Sequence, residues 1–99
     1  MSAKTTFPLV AESPTSASVG VASGQLLAAN TSRMGLTLVN TSVNTISIGI
    51  GATAVLNSGI TLNASGGTWV MDEVTFSTAA INAIAGAASS NIAIQQFVF

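Results

Sequence analysis

The chain has 99 residues, 48% of them hydrophobic and only 5% charged, with two basic and three acidic side chains and neither His nor Cys. That apolar content excludes a disordered polymer, the length allows one domain with a real core, and Lys4 and Arg33 are too few to hold nucleic acid. Without Cys or His the usual disulfide, zinc and haem frameworks are missing, and no cofactor is expected.

A freestanding domain carries roughly a quarter of its residues as charges. Here Ser, Thr, Asn, Gly and Ala must fill the surface, which suits permanent burial against other subunits and points to an obligate oligomer. The opening M-S-A-K-T-T-F-P lacks the apolar run of a signal peptide. The uncharged span from Gly35 to Trp69 is interrupted by polar residues every few positions, so no membrane helix is expected.

In chain order, residues 1–15 hold Pro8, Pro14 and a small apolar group, Phe7, Leu9 and Val10. Two prolines so close oppose a helix or a central strand, so 1–15 reads as an extended N-terminal arm and 16–99 as a single β-sandwich domain. The arm is either a frayed terminus or a segment that docks Phe7, Leu9 and Val10 on a neighbouring subunit. Short strands are expected from Ser16 to Ala22 and from Gln25 to Ala29, parted by the turn signal Ser23-Gly24. Arg33, in the polar turn that follows, is a solvated charge, a partner of Asp72 or Glu73, or an intersubunit contact.

Met34 to Ile50 reads as two strands around an Asn/Thr/Ser turn. Met34, Leu36 and Leu38 alternate with Gly35 and Thr37, and Ile46, Ile48 and Ile50 alternate with Ser47 and Gly49. Paired as a hairpin, Leu38 would face Ile46, Leu36 would face Ile48 and Met34 would face Ile50, with every large apolar group on one side. Gly51 to Gly59 is a small-residue loop, Ile60-Thr61-Leu62 a short strand, and Gly66-Gly67 the core of a turn. Trp69 to Phe76 has strand composition, and its imperfect alternation implies a bulge near Asp72 or a strand covered on both faces. Residues 77–88 carry both helical and alternating spacing, and strand–turn–strand is the preferred reading. The last strand runs to Phe99, and its apolar parity shifts between Ile94 and Phe97, which suggests a bulge or a terminal aromatic pair reaching for a partner.

The pattern as a whole gives an all-β protein: an antiparallel β-sandwich or small barrel of about 7–9 short strands. Asp72 and Glu73 are adjacent and point to opposite faces of a strand, so they make no facing acid/base pair. No enzyme is expected. Three Asn-x-Ser sequons, at Asn30, Asn40 and Asn63, read as turns. Trp69 fits core or interface better than an exposed sugar-stacking platform.

The run Q-L-L-A-A-N-T-S-R-M-G-L-T-L-V-N-T-S, then I-S-I-G-I-G, S-G-I-T-L, a Gly-Gly turn, W-V-M-D-E and I-A-I-Q-Q-F resembles small virion proteins of tailed bacteriophages. These are the capsid decoration (cement) proteins and related β-sandwich head-fibre modules. The resemblance spans roughly residues 24–97, and the Ala-rich stretch 79–88 departs from it. It implies a structural protein on the capsid exterior that stabilises the capsid by bridging major capsid protein subunits, as a homo-oligomer with a trimer favoured over a dimer. A receptor- or carbohydrate-binding head or tail fibre module is the alternative. Partner-binding candidates are Phe7, Leu9, Val10, Arg33, Trp69, Phe97 and Phe99; nucleic acid and membrane are not expected partners.

Overall fold

The computed structural model describes residues 10–71 and 77–98. They form nine strands: β1 (Val10–Ala11), β2 (Thr15–Val19), β3 (Gly24–Leu27), β4 (Arg33–Asn40), β5 (Ile46–Ile50), β6 (Ile60–Leu62), β7 (Gly67–Val70), β8 (Ile81–Ala85) and β9 (Ser90–Val98). One sheet has the order β1-β9-β4-β7, with β2 also paired to β9, and the other has the order β3-β8-β5-β6. All pairings are antiparallel. Counting β1 and β2 as one interrupted strand, successive strands alternate between the sheets except β5 and β6, which pair directly. That is the strand order of an eight-stranded jelly roll.

The core follows from period-2 alternation. Leu36 and Leu38 of β4, Ile92 and Ile94 of β9, Ile46 and Ile48 of β5, Leu62 of β6 and Ile81, Ala83 and Ala85 of β8 are all buried in one cluster. β6 lies beside β7 at one margin of the sandwich, and β2 beside β3 at the other.

The expected hairpin does not form. β4 pairs with β9 and β7, while β5 pairs with β6 and β8 in the opposite sheet. Leu36 and Leu38 therefore line the core from one sheet and Ile46 and Ile48 from the other, instead of lying side by side. Alternation reports which face of a strand is apolar; it is equally satisfied when two strands face each other across a core. The turn residues decide between them. The Asn40 side chain is buried, and its amide donates to the carbonyls of Asn44 (2.7 Å) and Leu62 (3.0 Å), which arches the chain from one sheet to the other.

Met34 also departs from expectation, at 44% exposed. The ladder between β4 and β9 shifts register between Arg33 and Gly35, so a bulge pushes Met34 outward and turns Arg33 inward. The parity shift in β9 needs no bulge there. Gln96 is buried and Phe97 takes the outer face, opposite Gly35. Val10, Ala11 and Thr15, which the sequence assigns to the arm, pair with β9, and residues 1–9 lie outside the described residues. Residues 81–85 are strand and lead through a turn into β9, in agreement with the strand–turn–strand reading. The bulge or two-sided cover implied near Asp72 lies outside the described residues.

Candidate functional site

The two outer faces of the sandwich differ. On the β3-β8-β5-β6 sheet, the loop 51–59 folds back over the strands. Ala54 donates its N–H to Ser23 Oγ (2.9 Å), Asn57 donates to Ser47 Oγ (2.9 Å), and Asn82 Nδ2 donates to Ala52 O (2.6 Å). Ser47 is fully buried under this cover. Gly49 permits it, since a β-carbon there would lie 2.6 Å from Ala52 O.

The outer face of the other sheet is built from cross-strand rows. Ser16, Ala93, Val39 and Thr68 form one row, Gln95, Thr37 and Val70 a second, and Phe97 and Gly35 a third. Ser18 and Asn91 extend it, and Asn91 Nδ2 donates to Thr41 Oγ1 (2.6 Å). None of these side chains is charged. Val39, Ala93, Thr37 and Phe97 are only half-buried, and Val70 is 57% exposed. Such a face can lose water against a partner without stripping an ion, which is the costly part of burying a polar surface.

The partner candidates named from the sequence do not gather in one place. Phe7, Leu9 and Phe99 lie outside the described residues. Val10 is 61% exposed on the short strand β1. Phe97 sits on the uncharged face, its ring 3.5 Å from where a β-carbon on Gly35 would be. Trp69 pairs with Leu38, so it belongs to the inner face and packs half-buried against the core.

Arg33 is no surface contact: its side chain is fully buried. Nε donates to Gln96 Oε1 (2.7 Å), Nη1 to the carbonyls of Ala79 (2.7 Å) and Ser77 (3.3 Å), and Nη2 to that of Ala28 (2.8 Å). Burial pulls its pKa below the ordinary guanidinium value, and the Glu12 carboxylate acts in the opposite direction. Gln96 Nε2 in turn donates to Glu12 Oε1 (2.7 Å), so an amide links the buried cation to the carboxylate. This cluster fastens one end of the sandwich. The pairing considered with Asp72 or Glu73 lies outside the described residues.

Val39, Thr37, Ala93 and Val70 alternate with core positions, so periodicity alone marks them only as the side away from the core. The available signal was the absence of any Lys, Glu, Asp or Arg among them.

No family model, no curated protein and no solved structure matches this chain.

Proposed function

We propose that this protein is a structural virion component that adheres to the exterior of a tailed-bacteriophage capsid, bridging major capsid protein subunits as a self-associating module, three copies in preference to two. The observation that carries the reading is the uncharged outer face formed by β2, β9, β4 and β7. A soluble domain normally spends charge on such a face; this one keeps Ser, Thr, Gln, Val, Ala and Phe there. The jelly-roll order adds support by analogy, since viral capsid domains use it, as do lectins and cupins. The carbohydrate-binding alternative draws no support from Trp69, whose indole is turned to the core side.

Its work is adhesive. Each copy buries neutral surface across a seam between capsomers, and the capsid must lose that binding free energy before it opens. Repetition over a particle makes modest single contacts effective. Neutral contacts are little screened, so binding persists at high salt.

The test is co-sedimentation of the purified protein with phage capsids lacking it, at low and high salt, for the wild type and for Val39→Lys and Ala93→Glu. Wild-type binding that survives salt, and variants that keep their melting temperature but stay in the supernatant, are expected. Release by salt, or retention of both variants, would overturn the reading.

A further inference from the structure

On the margin of the sandwich away from β1, a notch of about 300 Å³ opens beside β5 and β6. Ile48, Ile50 and Ile60 line it together with Val55, Thr53 and Ser58, and it contains no charged group. Val55, on the loop 51–59, is 58% exposed at this site.

We propose that the notch receives the Phe7-Pro8-Leu9 segment of a second copy of this chain. The chemistry matches: an isoleucine-lined cleft and three consecutive apolar residues, of which Pro8 has no N–H to leave unpaired. Geometry then selects a neighbour's segment over the chain's own. β1 joins β9 at one margin, and Phe7 is three residues from Val10, a reach of roughly 11 Å at full extension. The notch lies two to three strand positions across and one sheet over. At about 4.8 Å per strand and about 10 Å between sheets, that is roughly 14–17 Å. Leu9, a single residue from Val10, cannot span it within one copy, so the three-residue segment as a whole seats only on a neighbour.

The contact is head-to-tail, with a donor margin on one copy and an acceptor margin on the next, so it closes into a ring where the rotation permits. This deepens the proposed function by naming how copies join; it rests on the self-association in that reading and not on the capsid.

The experiment compares full-length wild type, Phe7→Ser with Leu9→Ser, and Val55→Asp by native mass spectrometry and light scattering, with thermal unfolding as a control for the fold. The wild type is expected to be an oligomer and each variant a monomer with an unchanged melting temperature. Mixing the two variants should restore a 1:1 dimer and nothing larger, because only one intact donor meets one intact acceptor. A mixture without dimer, or an oligomer indifferent to either variant, overturns the inference. So does an oligomer dissolved by Val55→Asp alone, since the notch then holds something other than this segment. A wild type that is monomeric at its highest soluble concentration also overturns it. In each of these cases capsid co-sedimentation of the wild type still judges the adhesive reading by itself.

Discussion

β4 carries a buried polar side chain at each end, and the two ends are fastened differently. At its start, Arg33 gathers carbonyl oxygens from Ala28, Ser77 and Ala79 and the amide of Gln96, most of them more than forty residues away. At its finish, Asn40 works largely within its own turn. Its amide donates to Asn44 O and Leu62 O, and its oxygen accepts from the N–H and hydroxyl of Ser42. A five-donor cation ties together segments that have no other reason to meet; a neutral amide shapes one arch. The charged end is also the one from which β1 departs, through Gln96 and Glu12.

The sharpest way to break this comparison is Arg33→Met. The thioether side chain fills part of the space but donates nothing, so the carbonyls of Ala28 and Ala79 and the Gln96 oxygen lose their donor. Replacing a buried charge with an apolar group is harmless only when its partners are replaced too, and backbone carbonyls cannot be. A loss of roughly 3–5 kcal/mol is expected in denaturant unfolding. Hydrogen exchange should localise it. The amides of Asn30 and Gly51, bonded to Thr78 O and Ala80 O, lose protection, while those of Gly66 and Gly86, at the Asn40 end, keep it. Uniform loss would mean that the two ends are one cooperative unit.

Asn40→Ala comes next, at roughly 2–3 kcal/mol, because it removes both amide donors from the arch and takes the buried Leu62 O from its side-chain partner, while Asn44 O keeps the Ser42 hydroxyl. Here the protection pattern should invert, with Gly66 and Gly86 exposed first. The β5 strand should keep its pairing with β8, since Ile46 and Ile48 remain buried whatever the arch does.

The two ends were unequally legible in the sequence, for a physical reason. Asn40-Thr41-Ser42 announces a turn because an Asn side chain bonds the backbone two residues on, and the Ser42 N–H does donate to Asn40 Oδ1 at 2.9 Å. Asn30 makes the same bond to Ser32 at 2.9 Å. Local chemistry is written locally. Arg33 reads as a surface charge because its acceptors are main-chain oxygens, which carry no sequence signature, and because only the bulge at Met34 turns it inward. Strand content and most core residues were legible from alternation; Met34 was not, because the bulge beside Arg33 breaks the period there. The partner of each strand was not, since Leu36, Leu38, Ile46 and Ile48 suit a hairpin and a two-sheet core equally. The uncharged outer face was half legible: the scarcity of charge is plain in the composition, but which neutral residues share a face depends on the pairing of β9 between β2 and β4.

Ser42→Ala sharpens the comparison at smaller scale. Its hydroxyl donates to Asn40 Oδ1 (2.7 Å) and accepts from the Asn44 N–H (3.1 Å), both inside the arch. The expected loss is about 1 kcal/mol, confined to the Asn40 end. In the double variant with Asn40→Ala the costs should fall short of additive, because the partners are shared. With Arg33→Met they should simply add.

The smallest effect belongs to Glu12, and it separates charge from hydrogen bonding at the Arg33 end. Glu12 is exposed, so its attraction for the guanidinium is screened by water and contributes at most about 1 kcal/mol. Its backbone is held independently, with its N–H donating to Gln96 O (2.9 Å) and its carbonyl accepting from Gln95 Nε2. Glu12→Gln keeps an oxygen for Gln96 Nε2 and removes only the charge; Glu12→Ala removes both. If the amide bridge positions Gln96 for Arg33, Gln is nearly silent and Ala costs a few tenths of a kcal/mol more. If the field of the carboxylate matters, both variants lose the same amount and the loss fades as salt is added. Urea unfolding of the three proteins at two ionic strengths distinguishes these outcomes. A salt-independent difference between Gln and Ala would establish that the buried cation is held by geometry at its own end of β4, as Asn40 is at the other.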